Sequence, residues 1–335
     1  MKPSGFAITL VLLAVAVTPS AAADTPPRVV EVGLFLIDIA NLDEHGETYT
    51  AEFDVIARWQ NSALIFEPAP DEEIPRLLTG DEAVAFLAAN WSPQLFAVNV
   101  VDAPADRLAR ALLYPDGTVT VRERVRRVLR AQMDFHWFPF DSQILPVHVE
   151  SMLYDSDEVR LETEVEFTGF DPTFEIAEWT VTDLTTVNEV RTRLQENQTY
   201  DRLSFLVQID RQRGYYLWKI ILPIVVIVIL SWIVFWMSTE PLGRRAGVSS
   251  TGMLTVIAYQ FVVADSLPRF SYQTVLDHFM LASLLTIAAT MVVNLVNSRL
   301  EPVSRQRLDR SSRVVFPVVY FAAVAVVLYR GLNGG

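Results

Sequence analysis

Residues suited to catalysis or metal binding are sparse in this 335-residue chain, which contains no cysteine and four histidines. None of the histidines stands in the HExxH spacing that places two imidazoles on one helix face for a metal ion. The sequence also lacks a GxSxG nucleophile motif and a Gly-rich phosphate loop. We therefore expect no enzyme, no metal site and no cofactor. The histidines are His45, His136, His148 and His278.

Residues 245–264 suggest a different chemistry, the passage of ions, because hydroxyl side chains punctuate a run that is otherwise apolar. Steps of four and three residues place one set of side chains on a single helix face. In a ring of identical helices, Leu254 and Phe261 would form apolar constrictions that close by dewetting, and Asp265 would form an acidic outer ring. The alternative is a buried helix whose hydroxyls bond to neighbouring helices. The predicted pore-lining set is Gly247, Thr251, Leu254, Ala258, Phe261 and Asp265.

A second unusual stretch is Phe138-Pro139-Phe140-Asp141, which interrupts two segments with the pattern of β-strands. Two phenylalanines around a proline are costly to leave in water, so we expect this loop to press against an apolar surface. Asp141 would then be partly buried and would need a cation, for which Arg213 is the candidate. The alternatives are ordinary core packing for the two rings and a solvated turn for Asp141.

The elements that would hold these residues fall into two halves. Residues 24–213 consist of short alternating segments separated by turn signals, which predicts an antiparallel, immunoglobulin-like β-sandwich. This half carries 35 acidic and 16 basic residues, a balance of −19, which argues against nucleic acid and could concentrate cations. The apolar run 6–17 before Ala21-Ala22-Ala23 predicts a signal peptide over residues 1–23, with an N-terminal membrane helix as the alternative.

Residues 214–335 form a predicted transmembrane domain with spans at about 216–237, 245–264, 272–297 and 312–332. Arginines cluster in the connections after the first and third spans, so the positive-inside rule places both connections inside and the sandwich outside. A bundle with one polar helix needs several copies to enclose water. A pore therefore implies an oligomer.

In this order of elements the chain resembles the pentameric ligand-gated ion channels. The 138–141 loop matches the aromatic-Pro-aromatic-Asp core of that family's signature loop, and Ala131 and Leu145 stand where animal receptors have two cysteines. The resemblance covers nearly the whole mature chain and looks closest to the amine-gated bacterial channel from Erwinia. Further matching stretches are Tyr215-Tyr216-Leu217-Trp218, Pro223, "LTVIAYQF" in the second span and "SLPRFSY" before the third.

The resemblance implies a homopentamer with a central pore, monovalent ions as the permeant species, and contact with membrane lipid. It also implies an agonist, a small amine or protons, that binds between neighbouring sandwiches, where aromatic faces can hold a cation. Sandwich core is the alternative for each aromatic residue. The implied ligand-binding residues are Phe96, Glu166, Phe167 and Tyr200 from one subunit, and Arg58, Trp59 and Tyr114 from the next.

The resemblance further implies that agonist binding repacks the junction between sandwich and membrane, with Phe138 and Phe140 against the first three spans. Cation-selective relatives usually have Glu at the inner end of the pore helix, where this chain has Arg244, so the candidates for selectivity are Glu240, Arg244 and Arg245. We favour cations, with an anion channel as the alternative. The implied coupling residues are Glu44, Phe138, Pro139, Phe140, Asp141, Arg213, Pro268 and Arg269.

The absence of cysteine and the short inner connections indicate a multi-pass protein of the bacterial inner membrane with its sandwich in the periplasm. The rival from another class is a non-channel receptor, a β-sandwich with a plain membrane anchor. A single span would suffice for such an anchor, so four spans with a polar second one argue against it.

Overall fold

The computed structural model of the chain describes residues 26–101, 108–174, 176–193, 198–237, 240–265 and 271–334. The predicted signal peptide at 1–23 lies outside these ranges, as do Pro268 and Arg269. The backbone of Asp265 is described as the last residue of its helix, but its side chain is not. The predictions made for these residues therefore stay predictions.

The first half of the chain is a β-sandwich of two sheets. The larger sheet has the order β3-β5-β6-β2-β1-β8 with β9 also paired to β1, and the smaller sheet has the order β10-β11-β7-β4. Pairing is antiparallel except where β1 meets β8 and β9. The strands are β1 (Arg28–Asp43), β2 (Thr48–Gln60), β3 (Arg76–Thr79), β4 (Leu95–Ala97), β5 (Leu108–Leu113), β6 (Thr118–Arg130), β7 (Ser142–Ser151), β8 (Val159–Thr163), β9 (Gly169–Phe170), β10 (Trp179–Arg193) and β11 (Gln198–Arg211).

Alternation of side chains along each strand explains why the two sheets stack. On β11, every second residue from Leu203 to Ile209 is buried, because successive side chains of a strand point to opposite faces. Burying each such apolar side chain stabilises the fold by about 1.5–3 kcal/mol. On β1, position 33 requires glycine, because the Cβ of any other residue there would lie 2.5 Å from the Cβ of Phe167.

The second half consists of four helices that are long and apolar enough to cross a membrane, so the chain is a multi-pass membrane protein. The helix of the second span continues to Asp265, and that of the fourth span runs over Pro302–Gly334, beginning in a polar segment before the apolar run. A short helix, Asp81–Ala89, lies in the sandwich half. The spans are Gly214–Trp236, Leu242–Val263, Val275–Asn297 and Pro302–Leu332.

A buried ion pair ties three of the spans together at their inner ends. The guanidinium of Arg245 on the second span lies 2.6 Å and 3.1 Å from the two carboxylate oxygens of Asp309 on the fourth. Arg245 also donates to the side-chain oxygen of Asn294 on the third span at 3.0 Å, and Asn297 donates to Asp309 at 2.6 Å. The side chains of Arg245 and Asp309 are 4% and 0% exposed. Because each charge depends on the other, this network fixes how the second span is rotated in the bundle.

Replacing Asp309 with Ala is expected to lower the free energy of unfolding by about 3–5 kcal/mol per subunit, because it leaves the buried Arg245 without its counter-ion. Chemical denaturation of the protein in detergent measures this loss. The double variant Arg245→Met with Asp309→Leu should recover most of it, since it removes both buried charges. Arg244→Ala is the matched control, because that side chain is 72% exposed and should matter little. Equal losses of unfolding free energy for Asp309→Ala and Arg244→Ala would contradict the importance of the buried Arg245–Asp309 pair.

Candidate functional site

The second span presents two different faces. Arg245, Ser249, Val256 and Val263 are buried against the other spans. The opposite face is exposed in the single chain at Gly247, Thr251, Leu254, Ala258 and Phe261, which are the predicted pore-lining residues with described side chains. Leu254 is 67% exposed and Phe261 is 73% exposed, so both large apolar side chains lack a partner surface within their own subunit. This is the face that a ring of identical subunits would turn toward a central axis.

The charges at the inner end of this helix are distributed differently from our expectation. Arg245, a candidate for selectivity, is buried in the bundle and paired with Asp309, because it lies four residues before Ser249 and therefore on the packed face of the helix. Arg244 is exposed and lies three residues before Gly247, on the same helix face as the pore-lining set. Its guanidinium donates to Glu240 at 2.8 Å. The exposed inner end therefore carries one paired cation and anion per subunit.

The junction between sandwich and membrane is organised around Arg211, the last residue of β11, whose side chain is completely buried. Its guanidinium donates to the two oxygens of Asp141 at 2.8 Å and 3.2 Å and lies 2.8 Å from a carboxylate oxygen of Glu44. It is also 3.9 Å from Glu178 and 3.3 Å from the hydroxyl of Tyr216, the third residue of the first span. One guanidinium thus contacts two loops of the sandwich, the segment before β10 and the membrane domain.

Aromatic rings enclose the same guanidinium. Its central carbon lies 4.1 Å from the ring centroid of Trp179 and 4.7 Å from that of Phe138, within the range of cation–π attraction. Burial alone would lower the pKa of Arg211, but the carboxylates of Asp141 and Glu44 outweigh burial, and the net shift of its pKa is upward. Arg211 therefore remains charged, and the carboxylates around it must balance that charge.

The cation beside Asp141 is Arg211 and not Arg213, so that prediction was wrong. Arg211 has the same parity as the buried residues of β11 and its side chain therefore points inward, whereas Arg213 lies past the end of the strand, at the start of the first span. Arg213 instead has its guanidinium 5.5 Å from the ring centroid of Phe140. Asp141 also accepts a hydrogen bond of 2.8 Å from Gln143, and its buried carboxylate is fully engaged.

Phe138 and Phe140 are both buried, and they press on the membrane spans, as we expected of the 138–141 loop. Phe138 packs edge-to-face on Tyr216 of the first span, with ring centroids 4.8 Å apart. Phe140 meets the fourth span, since a Cβ added to Gly331 would lie 2.8 Å from its ring, and Val275 of the third span lies 3.3 Å from the same point. The prediction did not include the fourth span, where a glycine near the C-terminal end lets the phenylalanine approach.

The same loop caps the third span. The first backbone N–H groups of that helix, at Val275 and Leu276, donate to the carbonyls of His136 and Phe138 at 3.1 Å and 3.2 Å. Helix N-termini have such N–H groups to spare, so the loop satisfies donors that would otherwise be unpaired. The ring of His136 stacks on Tyr272 with centroids 3.9 Å apart. This segment is therefore hydrogen-bonded directly to the N-terminal end of the third span.

Among the carboxylates that face Arg211, Glu44 has a raised pKa. It lies in the β1–β2 turn, where Asp43 accepts hydrogen bonds from the two residues that follow Glu44 and so holds the turn in shape. Burial raises the pKa of Glu44, the charge of Arg211 lowers it, and the nearby carboxylates of Asp141 and Glu178 raise it again, so that the net shift of the pKa is upward. This carboxylate accepts a proton at a higher pH than an ordinary glutamate.

The predicted agonist residues separate into two groups. Phe96 on β4 and Tyr200 on β11 both lie near Arg193, whose guanidinium carbon is 5.7 Å from the first ring and 3.7 Å from the second. Arg193 in turn donates to Glu150 at 2.7 Å, a buried carboxylate that also accepts from Arg202 at 2.7 Å. The two aromatics thus contact a cation that the protein itself supplies.

The second group does not match the predicted division between subunits. Phe167 and Arg58 were assigned to opposite subunits, but within one chain the guanidinium carbon of Arg58 lies 4.6 Å from the Phe167 ring. The reason is that the 3-10 turn Val165–Phe167 folds back over β1, where Gly33 leaves room for it. Arg58 also pairs with Glu164 at 2.9 Å.

The remaining predicted agonist residues lie apart from one another. Glu166 is exposed beside Phe167, and Tyr114 closes the β5–β6 turn, with its backbone N–H donating to Thr118 at 2.9 Å. Trp59 is 4% exposed and lies inside the sandwich, 6.1 Å from the ring of Trp91.

Sequence reasoning missed several charged residues of these sites, namely Arg211, Glu178, Glu150 and Arg193. A signal existed for Arg211. In the stretch "LSFLVQIDR", every second residue from Leu203 is apolar and is expected to face the core, and the final arginine occupies one of these inward-facing positions. A charged residue at an inward position must have a buried partner. No comparable signal marks Arg193, whose neighbours come from β4, β7 and β11.

Comparison with known proteins agrees with this architecture. Residues 14–213 match the neurotransmitter-gated ion-channel ligand binding domain, and residues 220–303 match the neurotransmitter-gated ion-channel transmembrane region. A proton-gated ion channel of Gloeobacter violaceus is 26% identical over 318 residues, which cover 93% of this chain and 86% of that protein.

Animal relatives are similar over a smaller part of their length. A gamma-aminobutyric acid receptor beta subunit of Lymnaea stagnalis is 27% identical over 277 residues, covering 78% of this chain and 54% of the relative. A pH-sensitive chloride channel 2 of Anopheles gambiae is 26% identical over 251 residues, which cover 71% of this chain and 40% of the relative. The chain thus spans about half the length of these two relatives or less. The matches to both halves show that this chain belongs to the neurotransmitter-gated ion-channel family, the pentameric ligand-gated channels, and is not an enzyme.

Proposed function

We propose that the chain forms a homopentameric channel whose second spans line the pore and which acid opens through the Arg211 junction. The observation that carries the acid proposal is the contact of 2.8 Å between Glu44 and the buried Arg211. The Gloeobacter relative is a proton-gated ion channel, which supports the same choice of agonist. The pentamer is inferred from the family, and Leu254 and Phe261 are proposed as the constrictions that dewetting closes.

The proposed mechanism starts from the charge balance around Arg211. At neutral pH, Glu44 from the β1–β2 turn, Asp141 from the loop before β7 and Glu178 before β10 all face the guanidinium, with the Tyr216 hydroxyl on the membrane side. Because the pKa of Glu44 is raised, lowering the pH removes its charge before that of an ordinary carboxylate. The β1–β2 turn then loses its ion pair with Arg211. Protons can open the pore in this way only if the open state binds them more tightly than the closed state.

A small primary amine is the second candidate agonist, as the likeness to the Erwinia channel implies. The aromatic rings of Phe96 and Tyr200 already bind a cation, the guanidinium of Arg193, which supports a site for cationic groups. An amine would have to displace the guanidinium of Arg193 from the ring of Tyr200. Because of this competition, we rank an amine below protons as the agonist. The roles of Glu166, Phe167, Arg58 and Tyr114 in agonist binding are proposed on the resemblance alone.

We propose a preference for cations over anions, on the basis of the exposed charges near the pore. Arg245 is buried in its ion pair, and Arg244 is paired with Glu240, so neither arginine of the second span offers an unpaired cation to the pore. The acidic exported half would concentrate cations at the outer mouth. Chloride channels among the relatives support the alternative. Reversal potentials in diluted NaCl decide between the two, because they shift toward the equilibrium potential of the permeant ion.

The cellular setting and the boundaries are proposals of the same kind. We place the channel in a bacterial inner membrane, with a periplasmic sandwich over residues 24–213, a transmembrane domain over 214–335 and a signal peptide over 1–23. The acidic sandwich, the arginines of the inner connections and the absence of cysteine support this placement.

Replacing Leu254 with Ser should make the channel easier to open, because a hydroxyl ring wets the apolar constriction and lowers the cost of water entry. We expect half-activation at a proton concentration about tenfold lower, which corresponds to about 1.4 kcal/mol, or a standing current at neutral pH. Whole-cell current against pH measures the shift. Leu285→Ser on the third span is the control, since Leu285 is exposed but lies off the proposed pore face. A Leu254→Ser channel that is harder to open would show that another face lines the pore.

Replacing Glu44 with Gln should mimic the protonated carboxylate and move half-activation toward neutral pH by about one unit or more. A charged hydrogen bond contributes about 1.5–3 kcal/mol, and one pH unit corresponds to about 1.4 kcal/mol. Acid-evoked current from surface-expressed channels measures the shift. Glu47→Gln is the matched control, because Glu47 belongs to the same turn and is exposed. An unchanged pH response of Glu44→Gln would exclude this carboxylate as the proton sensor and leave the amine as the leading agonist.

A further inference from the structure

Two adjacent arginines at the inner end of the second span lie in opposite environments. The side chain of Arg244 is 72% exposed and lies on the proposed pore face, where Glu240 neutralises it at 2.8 Å. The side chain of Arg245 is only 4% exposed, because successive residues of an α-helix point in directions about 100° apart. One of the two positive charges at this end of the helix is therefore held inside the bundle of its own subunit.

The burial of Arg245 depends on one carboxylate, that of Asp309 on the fourth span. Its two oxygens lie 2.6 Å and 3.1 Å from the guanidinium, whose further contact, at 3.0 Å, is the neutral side-chain oxygen of Asn294. The Nε of Arg245 has no hydrogen-bond partner in the part of the chain that the structure describes. Neutral contacts alone do not compensate for taking a positive charge out of water, so the guanidinium stays inside the bundle only with its counter-ion.

The place of Arg245 in its own helix increases this dependence. The helix begins at Leu242, so Arg245 lies in the first turn, where unpaired backbone N–H groups give the helix end a partial positive charge. A cation is disfavoured there. Without Asp309, the long and flexible side chain of Arg245 would bring its charged end to the water beside Arg244 while its carbon chain stays against the helix.

We propose that Asp309 determines the ion selectivity of the channel from outside the pore, by holding the guanidinium of Arg245 inside the bundle. The inference rests on the proposed homopentameric pore, but not on acid as the agonist. In a homopentamer, release of Arg245 would add one positive charge per subunit at the inner mouth, and rings of arginine favour the passage of anions. Asp309 is thus a positioning residue that acts on the permeant ions through Arg245.

Asp309→Asn tests this role, because it keeps the shape of the side chain and removes its charge. We expect the permeability of chloride relative to sodium to rise about tenfold, since charges released within about 10 Å of the ion path attract chloride and repel sodium at the same time. Reversal potentials in diluted NaCl, recorded under whichever condition opens the unaltered channel, measure this ratio. An unchanged ratio would overturn the proposal.

Two further variants separate the released charge from a general disturbance of the bundle. Arg245→Met combined with Asp309→Leu removes both charges, so it releases no cation and should not raise the chloride ratio. Arg310→Gln changes an exposed charge on the residue next to Asp309 and should not raise it either. A rise in the double variant as large as that in Asp309→Asn would mean that the altered packing changes selectivity, and would overturn the proposal.

Chemical modification of arginine gives a second readout, which needs no current. Phenylglyoxal reacts with guanidinium groups that it can reach, and mass spectrometry of the solubilised full-length protein identifies the modified residues. We expect Arg244 to react in the unaltered protein and in Asp309→Asn, and Arg245 to react only in Asp309→Asn. Reaction of Arg245 in the unaltered protein, or its protection in Asp309→Asn, would overturn the proposal.

Co-expression of Asp309→Asn with the unaltered chain keeps the test available if the variant does not assemble alone, because mixed channels contain fewer destabilised subunits. The chloride ratio should then rise with the fraction of altered subunits, and a ratio that stays at the unaltered value would contradict the proposal. Absence of current from the unaltered channel at the cell surface would contradict the proposed pore and, with it, the role in selectivity. In that case the phenylglyoxal result still shows whether Asp309 holds Arg245 in the bundle, so the two failures are distinguishable.

Discussion

The structure depends on keeping one buried guanidinium, that of Arg211, neutralised at the junction of its two halves. Removing one partner from a buried ion pair costs about 3–5 kcal/mol, so the carboxylates of Glu44 and Asp141 are held where they are by the same charge they neutralise. Asp141 belongs to the loop that also caps the third span, and Tyr216 belongs to the first. The sandwich therefore cannot move relative to the membrane without rearranging the contacts of Arg211.

A second buried arginine constrains the opposite end of the membrane domain. Arg245 and Asp309 fix the rotation of the second span at its inner end, and Ser249 reinforces that contact through a hydrogen bond of 2.8 Å from Asn294. The face opposite these residues is left exposed, with Leu254 and Phe261 on it. The packed face anchors the second span to its own subunit, and the exposed face is the one that we propose lines the pore.

The sequence was sufficient for the architecture and for the exposed face of the second span, because both follow from periodicity. Alternation with period two predicts the sandwich, long apolar runs predict the four spans, and steps of three and four residues select the helix face. Pairings across long stretches of sequence were not accessible in this way. Arg245 and Asp309 are 64 residues apart, and nothing local distinguishes the buried arginine from its exposed neighbour Arg244.

The candidate agonist site shows the same limit more severely. The resemblance correctly grouped Phe96 and Tyr200, which both lie near Arg193, but it also placed Phe167 and Arg58 in different subunits. The position of Phe167 depends on a short turn that folds over a glycine, and the position of Arg193 depends on the register between β10 and β11. Both are properties of tertiary structure, which residue types and spacing alone do not determine.

A double-mutant cycle on acid activation determines whether Glu44 acts on the pore through Arg211, as we propose. The pH of half-activation is measured for the unaltered channel, Glu44→Gln, Arg211→Lys and the double variant, with surface expression checked for each. If the account is correct, Glu44→Gln has little further effect once Arg211 is replaced, and the coupling energy is about 1 kcal/mol or more. Shifts that add to within about 0.5 kcal/mol would show that the two residues act independently, and would contradict the account.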